Sequence, residues 1–364
     1  AMLLCYWCFG YGAWLCLALM LAAGIIAHHQ KLSALLAAGI LLLPATQYPA
    51  TTWWSKPDLD REYVLSLDVE HYFGNIQKMR KHLETDRQIL WVSYYRNLYN
   101  ATHPSEINSP VSLSRNLLAW NQPGTNGLIL PVNPSASFLS ILFANELWFT
   151  LGDMTMAEHC AMLSMIFSPR NSGSRMIKRL AEINLVNGDD EAALKYLRIL
   201  DKTLLHKSWA EKRIPGQQTP RVKEWLEKKR RDIPTQDHLR SGNDAVTSLR
   251  NLVASNAGNL RAYEYLLCYH LLSKDLRSFV EDYVPGKVSS SIFAEALLIH
   301  LARQGNIRAE ELIKYQIPVK IAKEFADYTR LYEAKDTSLK EKYGKTYWFY
   351  YHFATTEPGK ESKP

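Results

Sequence analysis

The sequence predicts an all-α protein: an N-terminal transmembrane helical hairpin followed by an α-solenoid of helix pairs. Three observations predict it. First, the 364 residues carry 43 Lys+Arg and 36 Asp+Glu, a net charge of +7, yet no charge precedes Lys31 and none falls between Lys31 and Lys56. An average soluble domain has about one charged residue in four. Second, from residue 59 onward apolar residues recur at helical spacing, and almost no stretch alternates with the period of a strand. Third, Gly-Asp pairs recur at the junctions between helical stretches. An apolar content of 47% excludes disorder. The charge-free start excludes a wholly water-soluble enzyme, and the later charge density excludes a protein confined to a bilayer.

Residues 1–55 are expected to form two membrane spans, about 3–27 and 32–54. Crossing roughly 30 Å of hydrocarbon takes about 20 apolar residues, and Met2 to Ala27 supplies them. His28, His29, Gln30 and Lys31 make the turn, and Pro44 and Pro49 break the end of the second run. Trp53, Trp54, Tyr6 and Trp7 suit the interfacial belts. A buried hairpin in a large globule and a cleaved signal peptide are the alternatives; the second lacks a basic segment ahead of the apolar run. Since the chain opens on Ala1, a longer polytopic protein with earlier spans is a further reading. Lys31 in the loop favours a cytoplasmic turn. The expected location is therefore a bacterial inner membrane with residues 56–364 in the periplasm, although Lys56 and Arg61 weigh the other way.

Residues 56–213 are expected to be a first group of helical repeats. Ile177, Leu180, Ala181 and Leu185 share one helix face, and Ala193, Tyr196, Leu197, Leu200 and Leu204 share another. Gly152-Asp153 and Gly188-Asp189 lie 36 residues apart, each followed at a fixed offset by a small residue, Ala157 or Ala193. The glycine suits the left-handed backbone that ends a helix, and the aspartate suits the cap of the next. Within this group His103–Ser137 is rich in Pro and Gly, and only Ser112–Trp120 inside it reads as a short helix.

Residues 214–243 read as a linker around a short basic helix, Arg221–Arg231. Arg221, Lys223, Lys228, Lys229, Arg230 and Arg231 form a candidate patch for anionic lipid or an acidic partner. Its plain alternative is a solvated face with local ion pairs to Glu224, Glu227 and Asp232. Residues 244–364 form a second repeat group, in which Ala294, Leu297, Leu298, Leu301 and Ala302 line one face. Lys345–Phe353, with its aromatic run Tyr347 to Phe353, is expected to be a capping helix packed on the segment around Ile321, Phe325 and Tyr328, with a membrane-interface helix as the rival.

The spacing of Trp148, Gly152, Ala157 and Pro169, and of Leu180, Ala181, Gly188, Ala193 and Leu197, resembles the tetratricopeptide repeat. Candidate units at 60–100, 258–285 and 290–316 match more loosely, and a non-repetitive bundle is the alternative. The resemblance implies a groove that binds protein or peptide partners, with Arg175, Lys178, Glu182 and Leu185 facing it. Repeats of this family that hold a peptide carboxylate have Lys at the place of Lys178 and Asn at the place of Glu182; here an acid replaces the Asn. In the preceding unit the same face carries Leu139, Leu142, Glu146 and Phe149. The whole layout also resembles an uncharacterised family of Bacteroidota membrane proteins.

Catalytic motifs are absent from the sequence: there is no G-x-S-x-G, no Walker loop, no Rossmann fingerprint and no H-E-x-x-H. Glu158-His159 lacks the second histidine of a zinc helix, and Cys5-x-x-Cys8 lies in an apolar run where a thiolate is costly. Cys160 and Cys268 are expected as buried thiols, with a disulfide between them as the alternative. No metal, cofactor or nucleic acid is expected. The leading expectation is a membrane-anchored helical-repeat scaffold that binds a lipid bilayer and a protein or peptide partner, with no catalysis of its own. The rivals are the accessory repeat region of a polytopic enzyme, such as a lipid-linked-sugar glycosyltransferase, and a structural subunit of an envelope complex.

Overall fold

The computed structural model describes residues 56–354, apart from 85–86, 88, 104–112, 119–123, 133–136, 169–172 and 237–243. All regular structure among them is helical, in keeping with the expected all-α class. The membrane-spanning hairpin in that expectation is corrected: no helix of the described residues is long and apolar enough to cross a bilayer. The segment 1–55, whose one charged residue is Lys31 and which carries Cys5, Cys8, His28 and His29, lies outside the described residues.

The chain divides into two compact units, one ending at Met79 and one running from Arg80. The first contains α1 (Lys56–Tyr72), which buries Val64 and Leu67 and ends in a turn at Gly74, φ 69°. The next helix, α2 (Ile76–Leu83), crosses the boundary.

The second unit begins with α3 (Leu90–Thr102) and the one-turn α4 (Leu113–Asn116). Two helical hairpins follow. The first pairs α5 (Phe138–Leu151) with α6 (Met154–Ile166), and the second pairs α7 (Ser174–Asn187) with α8 (Asp190–Asp201). Each is closed by the device read from the sequence. Gly152 and Gly188 take φ of 91° and 81°, a left-handed conformation that costs any other residue a Cβ clash. Asp153 and Asp189 then accept from the amides of Met156 and Ala192, each at 2.9 Å. Such a cap contributes about 1 kcal/mol. Ala157 and Ala193 are fully buried, and α6 packs on α7, so the hairpins stack.

The same cap recurs further along with a different turn residue. Here α11 (Ala245–Ser255) pairs with α12 (Leu260–Leu272), and α12 with α13 (Leu276–Asp282). Asn259 and Asp275 accept from Ala262 and Ser278, each at 3.0 Å. At the second junction Lys274, φ 59°, stands where the earlier hairpins use glycine. Between the two groups lie the short α9 (Lys207–Glu211) on α8 and α10 (Pro220–Arg230) on α7.

The remaining elements are α14 (Ser291–Arg303), α15 (Ala309–Lys314), α16 (Val319–Glu333), α17 (Leu339–Tyr343) and α18 (Tyr347–Phe353). Trp348 of α18 is buried, 5.3 Å from the Phe325 ring and 5.5 Å from the Tyr328 ring. Its indole N–H donates to the Glu295 carbonyl at 2.9 Å. Tyr347 and Tyr350 donate to the carbonyls of Leu271 and Leu272, at 2.9 and 2.8 Å. Those carbonyls belong to the last turn of α12, which has no partners for them within the helix.

Two expected faces differ in detail. Ala193, Leu197 and Leu200 are buried, but Leu204 is 96% exposed, because α8 stops at Asp201 and the chain turns. On α14 the buried stripe ends at Leu301, leaving Ala302 exposed.

Candidate partner-binding site

The groove positions named from the sequence sit on α7, and Arg175 among them reaches α5. Asn145 and Glu146 of α5 are buried, and a carboxylate in that position needs compensating charge. Arg175 donates to one Glu146 oxygen at 2.9 Å, and Arg179 to the other at 2.6 Å. Arg179 also donates to Glu182 at 2.9 Å and to the Asn145 side-chain oxygen at 2.8 Å. The Asn145 amide in turn donates to the Ala157 carbonyl at 2.8 Å, tying the network to α6. Arg175 and Glu182 are therefore brought together around Arg179 and Glu146. Lys178 stands apart: its ammonium lies 5.1 Å from the Trp209 ring, which also carries the Arg213 guanidinium at 4.0 Å. Burial pushes the Arg213 pKa down, with Glu182 opposing and the nearby Arg221 charge adding to the fall.

Arg179 and Phe149 organise the next layer. The Arg179 guanidinium lies 3.8 Å from the Phe149 ring centre and the Lys229 ammonium 4.5 Å from it, while Trp225 of α10 stacks at 6.3 Å. Lys229 also donates to the Phe149 carbonyl at 3.3 Å. Loss of water around this amine, helped by the Arg261 and Arg179 charges, pushes its pKa down to about 8.

The basic patch is thus divided by the fold. Arg221, Lys223, Lys228 and Arg231 are exposed. Lys229 turns inward, and Arg230 donates to the carbonyls of Leu185 and Val186 at 2.7 and 3.0 Å. Those two cations close the C-terminal turns of α5 and α7, where a positive charge also suits the helix dipole.

On the other side of the same hairpin, α8 borders an open cleft of about 470 Å³, lined by Asp189, Glu191, Ala192, Lys195 and Arg198. Sequence reasoning missed this cleft and missed Arg179. Arg179 had a signal, since it lies four residues from Arg175 and three from Glu182 on one helix face. The cleft had none, because its side chains read as ordinary solvated helix.

Cys160 and Cys268 are free and buried, with no disulfide between them. Burial pushes the Cys160 thiol up to about 12 and that of Cys268 well above its usual value, which suppresses thiolate chemistry. Among the described residues no group of His, Cys, Asp and Glu is placed to hold a metal ion.

No curated protein and no solved structure matches the chain significantly. Residues 30–354 match one family, a span that includes parts of both units and the whole network around Glu146, and the chain therefore belongs to the DUF6057 family of unknown function.

Proposed function

We propose that the chain is a helical-repeat scaffold that binds a protein or peptide partner and performs no catalysis of its own. The observation that carries this reading is the α8 cleft, where two acids and two cations line one open surface of a rigid hairpin. Stacked helix pairs present such surfaces as a matter of geometry. We further read α5–α8 as tetratricopeptide-like units. The support is the repeated left-handed glycine, the aspartate cap and the buried alanine at equal offsets. Arg175, Lys178 and Glu182 form the second contact region. A partner carboxylate arriving there competes with Glu146 for Arg175 and with the Trp209 ring for Lys178.

The test is site-specific photocrosslinking in cells expressing the full chain, with the crosslinker in place of Lys195. A discrete protein adduct that disappears on Arg198→Glu supports the reading. Adducts no different from those formed at exposed Lys340 of α17 overturn it.

A further inference from the structure

The turn between α8 and α9 exposes two adjacent leucines, Leu204 at 96% and Leu205 at 85%. Single exposed leucines are common on protein surfaces. Two neighbours, each almost wholly in water, held on a fastened turn, are not explained by folding. The fastening is specific. The Thr203 hydroxyl donates to the Leu200 carbonyl at 2.7 Å and accepts from the His206 amide at 3.2 Å. The Lys207 amide donates to the Thr203 carbonyl at 3.2 Å, and the His206 ring meets the Ser174 hydroxyl at 3.1 Å, pinning the turn to the start of α7. The leucines therefore project because the backbone between them and the core is fixed.

The surrounding charges select an occupant. Lys202, Lys207 and Lys212 are exposed on the stretch that carries the tip; Asp201 and Glu211 are the acids on the same stretch, and Glu211 lies 4.0 Å from Lys207. A two-leucine tip is far smaller than the roughly 1,200 Å² that a stable protein interface buries. A symmetric contact with a second copy would bring the same lysines face to face. A fluid anionic surface satisfies both parts, because acyl chains close around a convex apolar tip while headgroup phosphates meet the lysines.

We propose that Leu204 and Leu205 form a peripheral membrane-contact tip that inserts into an anionic lipid surface, with Lys202 and Lys207 pairing headgroup phosphates. This site is separate from the α8 cleft and stands or falls independently of partner binding there. Each leucine is expected to strengthen surface binding about tenfold or more, and each lysine about fivefold at low salt.

The experiment uses the full chain carrying benzoylphenylalanine in place of Leu205. It is irradiated with vesicles of phosphatidylcholine alone or of equal parts phosphatidylcholine and phosphatidylglycerol, and adducts are weighed by mass spectrometry. The local crosslink reports the tip itself, whatever residues 1–55 do. Lipid adducts on the anionic vesicles, several-fold fewer on the neutral ones and about tenfold fewer with Leu204→Glu, support the proposal. Leu204 makes no buried contact, and an unchanged melting curve for Leu204→Glu checks that the fold is kept. A crosslinked homodimer, equal yields on both vesicles, or no lipid adduct above that at Lys340 overturns it.

Discussion

The side-chain amide of Asn259 donates to the Leu151 carbonyl at 2.7 Å, across 108 residues of sequence. The same amide donates to the Asp232 carbonyl at 2.7 Å, and the side-chain oxygen accepts from Ala262 at 3.0 Å. One buried residue thus ends α5, holds the segment after α10 and starts α12. Arg261 supports the same junction, donating to the Thr150 carbonyl and to the Asp232 carboxylate. Replacing Asn259 by Ala should lower stability by about 2–3 kcal/mol, from one lost cap and two carbonyls left without a donor. Asn259→Asp keeps the cap acceptor but loses both donors and turns a negative charge on two carbonyls. Urea unfolding should find Asn259→Asp no more stable than Asn259→Ala; wild-type stability would contradict the donor role.

The two hairpin glycines should differ in their tolerance of a methyl group. A Cβ at Gly188 meets nothing within 4 Å, so Gly188→Ala should cost only the left-handed strain, about 1 kcal/mol. A Cβ at Gly152 would lie 2.2 Å from the Asp232 carbonyl oxygen, which is backbone and cannot swing away. Gly152→Ala should therefore cost about 3 kcal/mol or more. Equal midpoints for the two variants in denaturant would show that the Asp232 segment yields freely.

Removal of one phenolic oxygen from α18 should be felt in α12. Tyr350→Phe leaves the buried Leu272 carbonyl without its donor, at about 1–2 kcal/mol, whereas Tyr347→Phe leaves the Leu271 carbonyl with the Lys274 amide at 3.1 Å and should cost about 1 kcal/mol or less. Deleting the residues after Gly344 removes both bonds and the Trp348 contacts together, and should lower the melting temperature well beyond either single change. Hydrogen exchange at the C-terminal turn of α12 gives the local readout, and unaltered protection there would exclude the coupling.

Stability should fall between about pH 4.5 and 7 through Glu295. Burial pushes its carboxyl up from 4.5 to about 7, against a hydrogen bond from the Tyr347 amide at 2.6 Å and with Glu324 adding to the rise. In this window the folded chain holds a proton that the unfolded chain has released. The stabilisation is thus fully present below about 4.5 and is lost as pH rises through 7, an effect on the order of 3 kcal/mol. Glu295→Gln should flatten this part of the stability profile in urea titrations at successive pH values. A slope unaltered by the substitution would assign it to other groups.

Lys229 should give the opposite trend at higher pH. Its amine is pushed from 10.5 down to about 8, so between those values the unfolded chain binds the extra proton and stability rises with pH. Lys229→Met, which retains the contact with Phe149, should abolish that rise. Persistence of the rise would point to another buried cation.

The parts of this fold that were legible in the sequence are those set by neighbours along the chain. Gly152-Asp153 and Gly188-Asp189 announce their turns because the left-handed residue and the cap are adjacent. The short helices within 112–120 and 221–231 stand out between prolines for the same reason. Leu204 was misread because periodicity continues past Asp201 while the helix does not; no proline or glycine marks that stop. The network at Glu146 was half visible, since Arg175, Glu182 and Glu146 could be placed on facing helices but Arg179 was not singled out. Caps supplied from far away, such as Arg230 on Leu185 or Tyr347 on Leu271, leave no local pattern. A lysine or tyrosine that ends another helix has the same sequence neighbourhood as one in water.

Those distant caps also impose an order on biosynthesis. The ribosome makes α12 well before α18, and the Tyr347 hydroxyl that completes Leu271 arrives 76 residues later. Until then the amides of Ser273, Lys274 and Asp275 serve the carbonyls of Tyr269, Leu271 and His270, but the Leu272 carbonyl has only water, and the surface that Trp348 will cover stays open. A chain that ends within this interval leaves the Phe325 and Tyr328 rings without their Trp348 partner, and synthesis of the aromatic helix covers them. The last residues of the chain thus finish a helix end made some eighty residues earlier, with two phenols and an indole.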